Sequence, residues 1–149
     1  EFGESGHTFI RTLPTSFNEL VKFAKWRSPL AHPSCAFRRA SVLSSGGYPP
    51  LRRSQDYALW AKLLMDGYMI GNIPRVLVRM RVDNVFGSGR GWEHLMSEWE
   101  MFKYQKRIGF ISLPVFVRNF SIRVALRLSP VFIKKILYKL FRDGLNKSV

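Results

Sequence analysis

Asp56 is the residue with the clearest chemical prospects. It follows a turn-rich stretch, Gly46-Gly47-Tyr48-Pro49-Pro50, and falls in the first turn of an apolar run introduced by Ser54. A serine at such a boundary is expected to accept a first-turn backbone N–H through its hydroxyl, satisfying one of the donors that a helix start leaves unpaired. A carboxylate that a loop delivers to the start of a helix, beside Tyr57 and Trp60, is placed to meet a ligand. First-turn acids usually just complement the positive end of the helix dipole, and the position taken alone favours that plainer role; the rest of the chain has to decide. Other reactive groups are sparse. His7, His32 and His94 are too scattered to suggest a metal site by spacing, and Cys35 is the single cysteine. One cysteine excludes an internal disulfide and a cysteine-rich zinc site, and its apolar surroundings make it a structural thiol. Gly87-Ser88-Gly89-Arg90-Gly91 has the composition of a phosphate cradle, but only half of the strand-before, helix-after context is present. No dinucleotide, P-loop or HExxH motif occurs.

Several elements must hold Asp56 in place. Ser16-Phe17-Asn18-Glu19 carries the reciprocal capping pattern of a helix start. It predicts a helix over 17–26 with Phe17, Leu20, Val21 and Ala24 on one face. Residues 9–13 read as a short strand or an extended lead-in that Pro14 breaks. Pro29 and Pro33 bracket an extended passage through His32, and residues 34–37 form a short apolar strand candidate. A helix over 39–45 should end at Gly46-Gly47, because glycine adopts the left-handed conformation cheaply. The central helix is expected over 55–66, stopping at Gly67, with Trp60, Leu63 and Leu64 on the face of Asp56. Residues 68–73 read as a strand closed by Pro74. Residues 75–82 alternate, with Val76, Val78, Met80 and Val82 on one side and Leu77, Arg79 and Arg81 on the other. That is the period of a half-buried strand. After a glycine-rich loop over 83–91, a helix over 93–107 has acids early and bases late, as the dipole favours, and Gly109 ends it.

The C-terminal part has a different character. A helix over 115–128 is predicted to carry Val117, Phe120, Val124 and Leu128 on one stripe. After Pro130, a second helix over 131–142 places Phe132, Ile133, Ile136, Leu137, Leu140 and Phe141 opposite Lys134, Lys135, Lys139 and Arg142. Such a basic amphipathic helix suits a membrane interface; the alternative is docking on its own domain with the basic face solvated. The 149 residues are 46% hydrophobic, enough for one domain with a real core, and the formal net charge is +14. From residue 102 onward, eleven basic residues face the single acid Asp143. The surplus invites an anionic partner, whether a lipid surface, a phosphorylated substrate or nucleic acid. No nucleic-acid module pattern is visible, so no nucleic-acid partner is expected. No uninterrupted apolar run of about 18 residues predicts a spanning helix. With no signal peptide and Glu1 in place of an initiator Met, the chain is expected to begin inside a longer, cytoplasmic polypeptide.

A series of short motifs then falls in a recognisable order. Residues 27–39 contain His32-Pro33 and Phe37-Arg38-Arg39, followed by Gly46-Gly47-Tyr48. Next come Gln55-Asp56-Tyr57-Ala58-Leu59-Trp60, Gly67-Tyr68 and Asn72-Ile73-Pro74, with Arg81 after them. The series resembles the second half of a glycosyltransferase family 2 domain of the GT-A fold. It is most similar to bacterial enzymes that build exopolysaccharide, capsule or lipopolysaccharide, and it covers about residues 9 to 110. The resemblance implies an α/β fold: a few mixed strands with flanking helices, followed by amphipathic C-terminal helices. It divides the chain into an acceptor-binding, catalytic-base half over 1–110 and a basic helical arm over 111–149.

The resemblance also implies an inverting transfer from a nucleoside-diphosphate sugar to a saccharide or lipid-linked acceptor. Asp56 matches the aspartate that serves as general base there, while Gln55 replaces the acid that usually precedes it and Met80 the tyrosine of the later Tyr-Arg pair. His32, Gln55, Tyr57, Trp60 and Arg81 are the implied substrate-binding residues. Mg²⁺ or Mn²⁺ is expected in the complete enzyme, on an upstream DxD motif that does not occur before residue 54. Within this chain only Asp83 sits where some relatives place a late metal ligand. Phe132, Lys134, Lys135, Ile136, Lys139 and Leu140 are the expected membrane contacts, on the cytoplasmic face of the inner membrane. The competing function is a non-enzymatic, basic membrane-surface or partner-binding module in which Asp56 serves only the helix.

Overall fold

Ser16 opens the first helix much as its motif predicts: its hydroxyl accepts the Glu19 backbone N–H at 3.4 Å, and α1 runs Phe17–Ala24. The computed structural model describes residues 10–79 and 91–128. In chain order the further elements are a 3-10 turn, His32–Ser34, then α2 (Arg39–Ser44), α3 (Gln55–Met65), α4 (Gly91–Arg107) and α5 (Leu113–Leu128). The helices over α2, α3 and α4 thus fall where the sequence places them. α1 ends two residues short of its predicted limit and α5 starts two residues early.

α3 is the axis of the fold. Tyr57, Ala58, Leu59, Trp60 and Ala61 are all buried in succession, so this helix is enclosed on every side rather than amphipathic. One flank joins Ala24 of α1 to Met101 and Phe102 of α4 and Phe116 of α5 in a single apolar cluster. The other flank, Leu59, Trp60 and Leu63, packs with Val42 of α2. α4 and α5 form a hairpin that turns at Gly109, whose φ of +78° suits glycine. Trp99 meets Phe116 and Phe120 edge-on, with ring centroids 5.0 and 4.8 Å apart, an arrangement that aromatic quadrupoles favour. Asn119, buried, donates through Nδ2 to the Lys25 carbonyl at 2.7 Å and so ties α5 to the end of α1. Of the stripe predicted for this helix, Phe120 faces inward as expected, but Phe116 and Asn119 join it because Trp99 and the α1 terminus lie there, and Val117 is left exposed.

The strand expectations are corrected. No strand occurs among the described residues, so the α/β character inferred for the chain is absent from them. Pro33 opens the 3-10 turn, and the Ser34 N–H donates to the Ala31 carbonyl at 2.9 Å, where a strand had been a candidate. Residues 10–13 have no regular structure, and neither do residues 68–79. The Asn72 side chain pins that second segment by donating to the Pro14 and Pro29 carbonyls at 2.8 and 2.9 Å. Met69, Ile73, Val76, Leu77 and Val78 are nevertheless exposed, Met69 by 80%. Alternation encodes a pleat, but a strand exists only through hydrogen bonds to a neighbour, and among the described residues none lies alongside.

Tyr57 illustrates how the core is specified. Its hydroxyl donates to the Ala24 carbonyl at 2.7 Å, a buried link from α3 to the last turn of α1. Burial raises its pKa well above the usual value near 10, while the Gln105 amide and the Arg123 and Arg27 charges pull it back only in part. The native state therefore keeps this proton at pH values where the unfolded chain has lost it, so stability must fall as pH rises above about 10. Tyr57→Phe is expected to cost about 1–2 kcal/mol at neutral pH through the lost bond. In urea titrations at stepped alkaline pH, the same variant should lose the tyrosine-specific part of the alkaline decline; an unchanged decline would show that another group causes it.

Candidate active site

The approach to Asp56 is built from backbone that few sequences adopt. Gly46 and Gly47 hold φ of +85° and +75°, and their N–H groups bond back to the Leu43 and Val42 carbonyls at 2.9 and 2.8 Å. This is the double closure of a glycine-terminated helix. Tyr48 leaves that turn directly against Pro49, which is buried. Ser54 then takes φ +58°, ψ +27° and makes no side-chain cap. The expected hydroxyl cap is thus absent, because capping needs an extended backbone at that position. Among the described residues Ser54 is the only non-glycine with positive φ. Such a conformation costs about 1–2 kcal/mol, and residues held in it cluster at ligand sites.

Asp56 follows, half-buried, in the first turn of α3. Its charge reaches two neighbours. The Cys35 thiol and the Tyr48 hydroxyl both have raised pKa values, first from burial and then from the Asp56 carboxylate. His32 Nε2 and Tyr48 Oη are 3.0 Å apart. The His32 ring lies 6.2 Å from that of Trp60, and the Phe37 ring is at the same distance. An open cleft of about 510 Å³ is bounded by Cys35, Phe37, Arg38, Trp60, Tyr68 and Ile70 among others. Asp56, His32 and Tyr48 are not in its lining; the cleft adjoins them across Cys35 and Trp60. The arrangement offers an acceptor for one proton beside a polar pair fixed in direction, with an aromatic and apolar cleft next to it.

Three bacterial proteins match almost all of the chain. A Haemophilus influenzae protein described as an uncharacterized glycosyltransferase is 35% identical over 144 residues, covering 95% of this chain and 53% of that protein. The amylovoran biosynthesis glycosyltransferase of Erwinia amylovora is 32% identical over 148 residues, covering 97% and 54%. An Escherichia coli UDP-Gal:alpha-D-GlcNAc-diphosphoundecaprenol beta-1,3-galactosyltransferase is 34% identical over 140 residues, covering 93% and 50%. The chain is related to bacterial glycosyltransferases. It spans about half the length of the curated relatives it matches. No family model and no solved structure matches it.

The site residues that the glycosyltransferase resemblance implies do not all converge. His32 and Asp56 belong to one cluster, with Gln55, half-buried, adjacent in sequence. Trp60 lies beneath that cluster, only 1% exposed, and its indole N–H has no partner among the described residues. Tyr57 belongs to the opposite core flank, bonded to Ala24. Neither ring offers a face to solvent. Arg81, Asp83 and the arm residues Phe132, Lys134, Lys135, Ile136, Lys139 and Leu140 lie outside the described residues. No group of three or more His, Cys, Asp or Glu side chains among the described residues is placed to hold a metal. Tyr48 and Phe37 are site residues that the sequence did not single out. For Tyr48 the signal was the glycine pair before it, which fixes where the phenol emerges.

Proposed function

We propose that this chain is the acceptor-side part of an inverting family 2 glycosyltransferase of cell-surface polysaccharide synthesis, with Asp56 as the general base. The observation that carries this reading is the placement of Asp56. A half-buried carboxylate follows a left-handed residue and lies one helical turn before Trp60, on whose ring His32 of the bonded His–Tyr pair packs, in a chain related to glycosyltransferases. In the proposed reaction an acceptor hydroxyl oxygen attacks the anomeric carbon of a nucleoside-diphosphate sugar. The bond from that carbon to the diphosphate oxygen breaks, the diphosphate departs with the electron pair, and the hydroxyl proton passes to Asp56. A carboxylate within hydrogen-bond reach of the attacking oxygen is what the step requires.

A divalent cation, Mg²⁺ or Mn²⁺, belongs to the reading of the complete enzyme, where it supplies positive charge to the departing diphosphate. The described residues contain no group fitted to hold it, so no step is assigned to it here. The complete protein is proposed to have the α/β GT-A fold. The name of the Escherichia coli relative suggests the assay: the full-length protein with a panel of UDP-hexoses and a synthetic α-GlcNAc-diphospholipid. Transfer to the lipid is the expected result, and no product with any pair would sink the reading.

The protein is further proposed to sit on the cytoplasmic membrane face, where a lipid-linked acceptor lies. No helix among the described residues is long and apolar enough to cross a membrane, and the net charge of +14 favours an anionic surface. Changing Lys134, Lys135 and Lys139 to Gln should weaken binding to vesicles rich in phosphatidylglycerol by about 100-fold, taking about 1 kcal/mol per basic residue. Equal flotation of the triple variant and wild type would count against the arm as the contact.

A further inference from the structure

We infer that Tyr48 selects the acceptor: its hydroxyl, aimed by His32, hydrogen-bonds the sugar hydroxyl neighbouring the one that Asp56 deprotonates. This rests on the reading of Asp56 as the base. Tyr48 is 43% exposed, so packing does not explain why it is held. Its backbone is nonetheless fixed on both sides, by the left-handed Gly46-Gly47 pair and by buried Pro49. His32 is fixed as well, by the Pro33-initiated turn, whose Cys35 N–H returns to the His32 carbonyl at 3.2 Å.

The bond between two exposed side chains, His32 Nε2 and Tyr48 Oη at 3.0 Å, adds little net stability, since water would satisfy both groups equally well. What the bond does fix is direction. With His32 Nε2 as donor, the phenolic O–H is free to donate outward; with Nε2 as acceptor, the phenolic oxygen still accepts. Either way one further hydrogen bond is available to a ligand. Burial first and the Asp56 charge second oppose ionisation of Tyr48, so the phenol stays a neutral partner. Asp56 and Trp60, four apart, share a face of α3, and His32 packs its ring 6.2 Å from that of Trp60. The carboxylate and the phenol held by His32 therefore serve the same face of the helix and together suit two neighbouring hydroxyls of a pyranose ring. One loses its proton while the other is bonded and held.

The test uses the full-length protein, the UDP-hexose panel and the α-GlcNAc-diphospholipid, together with monodeoxy analogues of that acceptor. In Tyr48→Phe, kcat/KM for the parent acceptor should fall about tenfold, the worth of one hydrogen bond, through acceptor KM, while donor KM stays unchanged. One monodeoxy analogue should cost the wild type about tenfold and cost Tyr48→Phe nothing more, the coupling expected of a direct contact. If the variant discriminates among the analogues as the wild type does, or if its donor KM moves instead, the inference is overturned. Asp56→Asn is run in parallel. Near-normal turnover by that variant, or no wild-type product with any pair, overturns the base reading and this inference with it; inactive Asp56→Asn with unaltered Tyr48→Phe selectivity overturns the Tyr48 inference alone.

Discussion

Asp56→Asn in the full-length protein is expected to lower transfer by about 10³-fold while leaving donor affinity unchanged, within the range that general-base catalysis supplies. The amide is nearly the same shape as the carboxylate, so the first turn of α3 and its neighbours stay in place. What disappears is the ability to take a proton from the attacking hydroxyl. The magnitude separates the two readings of this residue. A first-turn acid that only complements the helix dipole is worth about 0.3–1 kcal/mol of stability, and its loss would shift a melting curve slightly without touching turnover. A thousandfold rate loss corresponds to about 4 kcal/mol in the transition state. Calorimetric donor titration beside kcat measurement makes the distinction, and turnover within tenfold of wild type would return Asp56 to a purely structural role.

Trp60→Ala should destabilise the chain by about 3–5 kcal/mol, the usual cost of emptying a buried aromatic site. Trp60 is 1% exposed between Val42, Leu59 and Leu63, with the rings of His32 and Phe37 above it. For a chain of this size the loss corresponds to a fall in Tm of roughly 10 °C or more. Trp60→Phe should cost much less. It keeps most of the packing and removes an indole N–H that is buried without a partner, and an unpaired buried donor carries a penalty of about 1–3 kcal/mol. If Trp60 instead binds substrate, as the resemblance implies, Trp60→Ala would melt near the wild-type temperature and raise acceptor KM. Urea unfolding of both variants decides between these outcomes.

Much of this architecture was legible beforehand, and where it was not, the reason is specific. The helices over α2, α3 and α4 were readable because their signals are local. Gly46-Gly47, Gly67 and Gly109 end helices wherever they occur, since only the backbone of glycine accepts positive φ without strain, and all four have it. The capping serine of α1 was readable for the same reason. Ser54 looked like the same kind of residue and behaved differently. Its backbone is left-handed and its hydroxyl makes no cap, and a residue type does not encode that choice. The alternation over 75–82 predicts a strand, yet a pleat needs a neighbour to hydrogen-bond, and the described part, residues 75–79, has none among the described residues. Likewise the inward face of α5 keeps the expected Phe120 but takes Phe116 and Asn119 in place of Val117, because Trp99 and the Lys25 carbonyl decide which side has a partner.

The candidate site divides along the same line. The sequence by itself determined that Asp56 starts the central helix, that His32 precedes it in a proline-bounded passage, and that the ordered motifs belong with glycosyltransferases. These are matters of residue type and local spacing. Only the tertiary structure decided that His32 meets Tyr48 sixteen residues away, that the field of Asp56 reaches both Tyr48 and Cys35, and that Tyr57 and Trp60 turn into opposite flanks of the core. Those relations depend on how α2 and the Pro33 turn close over α3, and long-range packing of that kind leaves no periodic trace in the chain.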